Sequence, residues 1–167
     1  MLGFLILMLS GSLFVLYTSN LLPPLMASHF TASGAPNGFM TRTTYTATML
    51  GLMICIPCFM AFLPLSFPHL PASMINIPNR TYWLAPERAQ QTIYKLHQWM
   101  MVFSCLTLIF LVFVHWLVVQ SNQRVPPAMS NHEFFGGLFV FLTLTAIWSV
   151  GLHRQFRLTQ DLKDTSP

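Results

Sequence analysis

The stretch LHQWMMVFSCLTLIFLVFVHWLVV, residues 96–119, decides the fold class of this chain because it contains no Asp, Glu, Lys or Arg. A helix rises 1.5 Å per residue, so this stretch is long enough to cross the roughly 30 Å hydrocarbon core of a bilayer. Trp99 and Trp116 would lie about 25 Å apart along such a helix, a separation that suits the two membrane interfaces. The stretch therefore predicts a transmembrane helix.

Three further runs are apolar and free of charged residues: about 1–20, 45–65 and 134–152. Only 7% of the 167 residues are charged and 54% are hydrophobic, whereas about a quarter of a soluble domain is charged. A spanning helix satisfies all its backbone groups within the segment, as the bilayer interior requires. We therefore expect an all-α polytopic membrane protein with one domain, residues 1–167, built as a bundle of four transmembrane helices.

The first run has a cleaved signal peptide as its alternative interpretation. It lacks the basic n-region of a signal peptide, and no Ala-x-Ala cleavage site precedes the polar loop. The sequence therefore favours an uncleaved signal anchor.

Basic residues in the short loops predict the orientation. Arg42 is the basic residue of the first loop and Arg124 that of the third. The second loop and the C-terminal tail carry the others: Arg80, Arg88, Lys95, Arg154, Arg157 and Lys163. We expect a multi-pass protein of the bacterial inner (cytoplasmic) membrane, with both termini cytoplasmic. Membrane lipids are its expected surroundings, and nucleic acid is not an expected partner because the basic residues form no cluster.

Two polar segments carry motifs: HFTASGAPNG, residues 29–38, and NIPNRTYWLAPER, residues 76–88. In the first, Gly34-Ala35-Pro36-Asn37-Gly38 predicts a turn, because Gly and Asn tolerate a positive φ and Pro fixes its own. In the second, Pro86-Glu87 suits the first turn of a helix that continues into residues 96–119. Ser130 or Asn131 is the expected N-cap of the fourth helix.

The first loop resembles the first-loop domain of a bacterial family of small integral-membrane proteins of unknown function, a domain shared with the SdpI-type immunity proteins. The residues that carry the resemblance are Leu22-Pro23, His29-Phe30, Gly34, Pro36-Asn37-Gly38 and Thr41-Arg42. The second loop looks like that of the shorter, uncharacterised members, through Asn79-Arg80, Tyr82-Trp83 and Pro86-Glu87-Arg88. The resemblance covers roughly the first 100 residues. It implies a multi-helix inner-membrane protein and, for a few relatives, toxin immunity and signalling.

Histidine is the titratable side chain available in number. By the predicted topology a donor set for zinc, copper or iron would lie near the outer face: His29, His115, His132 and Glu133. His97 and His115 are five helical turns apart and cannot bind one metal. A haem would need His153 opposite His97. The alternative is that the histidines hydrogen-bond to headgroups and loop carbonyls, although His115, inside a span, is the stronger functional candidate.

The two motifs also supply the candidate ligand-binding or partner-binding residues: His29, Asn37, Gly38, Asn79, Arg80, Tyr82, Trp83, Glu87 and Arg88. Arg80, Glu87 and Arg88 suit a partner or an anionic lipid headgroup, with a local ion pair as the alternative. No nucleotide loop, nucleophile elbow or zinc-protease helix occurs in the sequence. We therefore expect neither catalysis nor a cofactor.

The sequence thus predicts a small non-catalytic membrane protein with a binding, signalling or immunity-like role. In this interpretation the outer loop, with His29 and Asn37, meets an extracytoplasmic ligand. One alternative is an accessory subunit of a larger membrane complex, or a homo-oligomer, in which Gly136-Gly137 lets another helix approach closely. A second is a histidine-ligated metal-binding or haem-binding membrane protein.

Overall fold

The computed structural model describes residues 1–157. Residues 158–167 lie outside the described part, and they include Lys163, one of the basic residues that predict the orientation. Within that part four helices are long and apolar enough to cross a membrane. They are α1 (Leu2–Ser19), α2 (Arg42–Phe62, extended by a 3-10 helix at Leu63–His69), α4 (Pro86–Asn122) and α5 (Asn131–Phe156). A short helix, α3 (Arg80–Trp83), precedes α4. The predicted all-α bundle is confirmed, and the chain is a multi-pass membrane protein.

The helix ends follow from local chemistry. The prolines after Leu22 stop α1, which ends at Ser19. Thr41 caps α2, because its hydroxyl accepts a hydrogen bond from the backbone N–H of Thr44 at 3.2 Å. Ser130 caps α5 in the same way through the N–H of Glu133, as the sequence predicts.

Helix α4 is the central element of the fold. It runs without a break from Pro86, and at 1.5 Å per residue it is about 55 Å long, so it extends beyond the hydrocarbon core. Helices α1, α2 and α5 all pack against it. The core lies between α1, α2 and α4. It contains three fully buried side chains, one from each helix: Val15 of α1, Met53 of α2 and Leu108 of α4.

Helix α5 packs on α4 through aromatic side chains. Phe141 stacks on Phe110 with a ring-centroid distance of 4.4 Å, and Trp148 stacks on Phe103 at 4.5 Å. The predicted close approach at the glycine pair is made by Gly137, where an added Cβ would collide with the ring of Phe113. An added Cβ at Gly136 would have no neighbouring atom within 4 Å. Only the second glycine of the pair therefore serves packing within the described chain.

The first loop contains two strands that the sequence analysis did not predict. Strands β1 (Leu25–Phe30) and β2 (Pro36–Thr41) form an antiparallel hairpin in which Met26 pairs with Met40 and His29 with Gly38. The turn lies at Thr31–Ala35, where Gly34 has φ +83°. The predicted turn at 34–38 is thus placed too late: Asn37 and Gly38 belong to β2.

Candidate functional site

The hairpin lies across one end of the bundle, called here the hairpin end, where α1 and α4 stop and α2 and α5 start. Asn122 of α4 holds its first strand: the Asn122 Oδ1 accepts from the Ala27 N–H at 2.8 Å, and its Nδ2 donates to the Ala27 carbonyl at 2.8 Å. The turn is held by the Met129 N–H, which donates to the Gly34 carbonyl at 2.9 Å. An added Cβ on Gly34 would collide with the Met129 carbonyl oxygen. The hairpin is therefore fixed at both of its ends.

A pocket of about 420 Å³ lies between the hairpin and helices α4 and α5. The hairpin and its turn contribute polar side chains, and the helices contribute mainly apolar ones. The pocket is lined by Ser28, His29, Phe30, Thr31, Ala32, Val114, Val118, Met129, Asn131, Phe134 and Phe135. A mostly apolar cavity with a few polar groups is the usual form of a small-molecule or side-chain binding site.

His29 is the part of the first motif that reaches this pocket. Its side chain is exposed at the surface and also lines the cavity. Gly38 makes room for it, because an added Cβ at Gly38 would lie 2.9 Å from the His29 Cβ. Asn37 is exposed and is not among the lining residues. Of the predicted first-loop residues, His29 therefore belongs to the pocket and Gly38 positions it.

Replacing Asn122 with alanine is expected to loosen the hairpin without unfolding the bundle. The change removes both hydrogen bonds to Ala27, which together stabilise the hairpin by about 1–2 kcal/mol. Amide hydrogen exchange in β1 should therefore accelerate by roughly tenfold. Gln123→Ala, at the exposed neighbouring residue, is the control; equal exchange in the two variants would contradict the role of Asn122.

His115 forms a second polar cluster at the hairpin end, on the side of α4 that faces α1 and α2. It is fully buried. Its Nε2 lies 2.7 Å from the Thr18 Oγ1 of α1, and its Nδ1 lies 3.0 Å from the hydroxyl of Tyr45 of α2. The Tyr45 ring also stacks on the imidazole at 5.7 Å with an interplanar angle of 18°. One side chain thus connects three helices.

The hydrogen-bond pattern assigns the direction of each bond in this cluster. The Thr18 hydroxyl donates its single proton to the Phe14 carbonyl at 2.7 Å, so it accepts from the His115 Nε2–H. The Nδ1 is then the acceptor of the Tyr45 O–H. All polar atoms of the imidazole are satisfied in the neutral Nε2–H form, and the cluster has the character of a structural connection between helices.

The predicted metal-binding residues are not brought together. Both nitrogens of His115 are occupied by Tyr45 and Thr18, while His29, His132 and Glu133 are exposed. Within residues 1–157 no group of three or more His, Cys, Asp or Glu side chains is placed to hold a metal ion. The geometry required for the predicted metal site is therefore not formed by these four residues.

The two histidines predicted to face a haem, His97 and His153, differ in their surroundings: the first contacts the end of α2 and the second is exposed. His97 Nδ1 donates to the Ala61 carbonyl at 2.9 Å, and the ring stacks on Phe62 at 6.2 Å. His153 is exposed near the end of α5. His97 thus contacts the end of α2, and this contact accounts for its position without a ligand.

The second motif lies at the opposite end of the bundle, where it holds the last turn of α5. Trp83 Nε1 donates to the Phe156 carbonyl at 2.7 Å, and Asn79 Nδ2 donates to the same oxygen at 3.2 Å. The Trp83 indole also meets the Phe156 ring edge-on at 5.6 Å. The last carbonyls of a helix have no partner inside it, so these donors stabilise the end of α5.

The charged residues of the second motif make local contacts. The guanidinium of Arg88 lies over the Tyr82 ring, 4.0 Å from its centroid, and also donates to the Tyr82 carbonyl at 3.3 Å. Arg80 donates to the Ser73 carbonyl at 3.1 Å, and Glu87 is exposed in the first turn of α4. Apart from the exposed Glu87, the predicted ligand-binding residues of this loop therefore make contacts that order the loop and the end of α5.

Sequence reasoning missed the partners that complete both clusters at the hairpin end. These are Thr18 and Tyr45 around His115, Asn122 beside the hairpin, and Ser28, Thr31, Asn131 and Phe135 in the pocket. The available signal was the presence of polar side chains inside or at the ends of apolar runs, where each needs a partner. That signal marks a residue but does not say which partner it has.

No family model, no curated protein and no solved structure matches this chain. The resemblance of the first loop to the SdpI-type domain stays a prediction.

Proposed function

We propose that this chain is a small non-catalytic membrane protein that binds an amphipathic ligand in the pocket beneath the hairpin, in a sensor-like or immunity-like role. The observation that carries the proposal is the pocket itself, a cavity of about 420 Å³ under a hairpin that is fixed at both ends. A preformed site reduces the ordering that a ligand must impose on binding.

The side chains of the pocket favour binding over catalysis. His29 is the one ionisable side chain among the lining residues, and no carboxylate, thiol or amine lines the pocket with it. General acid–base and nucleophilic mechanisms use a second group that orients or activates the first. A lone exposed imidazole beside hydroxyl and amide groups is better suited to hydrogen-bonding a ligand.

The distribution of polar and apolar groups defines the ligand class. Val118 and Phe135 offer an apolar surface to an aromatic or branched aliphatic group, while His29, Thr31 and Asn131 offer hydrogen bonds to its polar end. An extracytoplasmic peptide can present both an apolar side chain and hydrogen-bonding groups. The ligand that we propose is therefore a peptide that inserts one large apolar side chain under the hairpin.

The proposed orientation places the hairpin end outside the cytoplasm of a bacterial cell, in the inner membrane, with both termini inside. Arg80, Arg88 and Lys95 lie at the opposite end, as do Arg154 in the last turn of α5 and Arg157 just after it. Among the described residues, the hairpin end has only two Lys or Arg side chains, Arg42 and Arg124. The positive-inside rule supports this orientation. The packing of α1 into the core supports its retention as an anchor.

Photocrosslinking tests the proposal in the living host. A benzoylphenylalanine placed at Phe135, which lines the pocket, is expected to give an adduct of one discrete peptide mass. His29→Ala should reduce its yield roughly tenfold, because the lost hydrogen bond to a buried ligand group is worth about 1.4 kcal/mol. The level of protein in the membrane should not change.

Two controls make the crosslinking result decisive. The same probe at Ile147, an exposed residue of α5, reports crosslinking to lipid alone. Ala32→Trp, at an exposed residue that lines the pocket, fills the pocket and should abolish the discrete adduct at position 135. Adducts shared by both positions, or an adduct that persists when the pocket is filled, would overturn the proposed function.

A further inference from the structure

A second cavity at the hairpin end lies in the groove between α1 and α2, away from the ligand pocket. Its volume is about 340 Å³. Near the helix ends it is lined by polar residues, among them Ser19 of α1 and Arg42, Thr43 and Thr46 of α2. No residue of this groove also lines the pocket beneath the hairpin. The two sites are therefore separate.

Arg42 provides a positive charge at this groove, and no carboxylate within residues 1–157 lies beside it. Its side chain is half-buried, and its Nη1 donates to the Leu22 and Asn20 carbonyls at 3.3 and 3.5 Å. The two acidic residues of the described part are elsewhere: Glu87 and Glu133 lie in the first turns of α4 and α5. These carbonyl contacts orient the guanidinium, and its remaining N–H groups suit an anion.

Ser19 adds an independent observation. The residue is only 4% exposed, and its Oγ has no hydrogen-bond partner. A buried hydroxyl left without a partner destabilises the protein by about 1–3 kcal/mol. Ser19 lines the groove, so an oxygen of a ligand that reaches this hydroxyl would supply the missing partner.

The groove becomes apolar with increasing depth from the hairpin end. Leu16 lies one turn deeper than Ser19 along α1, and Leu50 lies one turn deeper than Thr46 along α2. Leu16 is 48% exposed. The groove thus presents a cation and hydroxyl groups at one level, and the exposed Leu16 and half-buried Leu50 below them. A phospholipid presents its phosphate and its acyl chains in the same order.

We propose that this groove binds one anionic phospholipid, with its phosphate against Arg42 and the hydroxyl groups of α1 and α2, and an acyl chain along Leu16 and Leu50. The guanidinium fork matches phosphate oxygens, and an anionic headgroup is preferred because neither carboxylate of residues 1–157 competes for the arginine. The site is part of the membrane anchoring of the protein and does not depend on the ligand of the hairpin pocket.

Native mass spectrometry of the detergent-solubilised full chain, titrated with phosphatidylglycerol, tests the site. The expected result is one retained lipid, bound about tenfold more weakly by Arg42→Gln, as expected for loss of a charge-assisted contact. Diacylglycerol with the same acyl chains should also bind about tenfold more weakly to the unmodified protein, because it lacks the phosphate. Millimolar inorganic phosphate should not displace the lipid.

Matched variants distinguish binding in the groove from general electrostatic attraction between an anionic lipid and the basic residues of the protein. Ala47→Trp blocks the groove while keeping Arg42, so it should abolish retention even if Arg42→Gln does not fold. Thr48→Trp, at an exposed neighbour that does not line the groove, and Arg124→Gln should bind as the parent does. Equal weakening by Arg124→Gln, unchanged binding by Ala47→Trp, or displacement by free phosphate would overturn the proposal.

Discussion

Replacing His115 with alanine is expected to destabilise the bundle by about 4 kcal/mol, measured as the change in free energy of unfolding in detergent micelles. The imidazole is fully buried and connects Thr18 of α1 to Tyr45 of α2. Its removal leaves a cavity between three helices and takes one hydrogen bond from each of two buried hydroxyl groups, of which Thr18 keeps its bond to the Phe14 carbonyl. For a chain of 167 residues the loss corresponds to a fall in thermal midpoint of roughly 8–16 °C.

Tyr45→Phe separates the hydrogen bond from the packing at the same place. The phenylalanine ring can keep its stacked position on the imidazole, so the variant removes only the hydroxyl and should destabilise by about 1 kcal/mol. In the double variant with His115→Ala, the effect of the lost hydroxyl should nearly disappear because its partner is already gone. Strict additivity of the two changes, or a neutral His115→Ala, would contradict the proposed connection.

The four helices were predictable because the bilayer leaves the chain few alternatives. A run such as residues 96–119, without a charge, can satisfy its backbone in hydrocarbon only as a helix or in a closed barrel. The ends were predictable where a specific residue stops or caps the helix, as Ser130 does for α5. The start of α4 at Pro86 also follows from the sequence, since proline favours the first helical turn.

The hairpin could not be predicted in the same way, because distant residues hold it. Neither strand shows the alternation of apolar and polar residues that predicts a β-strand. Ala27 donates one hydrogen bond to the side chain of Asn122 and accepts another from it, and Asn122 lies 95 residues further along the chain. Turn residues such as Gly34 show that the chain reverses, but the register depends on contacts with α4 and α5.

In the candidate site, too, individual residues could be recognised from the local sequence, whereas their distant partners could not. His115 was recognisable as a polar residue inside an apolar run, and His29 as part of a motif. The partners of His115 lie 97 and 70 residues away, at Thr18 and Tyr45. The second motif was predicted as a binding site, yet Trp83 and Asn79 donate to the end of α5. A distinctive sequence motif identifies residues that make specific contacts. It does not show whether those contacts are within the chain or with a ligand.

The contact between α4 and α5 depends on one glycine of a pair, and the pair supplies its own control. Gly137→Leu is expected to destabilise the protein by about 3 kcal/mol and to lower its thermal midpoint by roughly 6–12 °C, because the new side chain collides with Phe113. Gly136→Leu makes the same chemical change one residue earlier, where nothing lies within 4 Å of an added Cβ, so it should have little effect. Phe113→Ala should restore part of the stability of Gly137→Leu by making room for the leucine. Equal effects of the two leucine substitutions, or no rescue, would show that close packing at Gly137 does not hold α5 against α4.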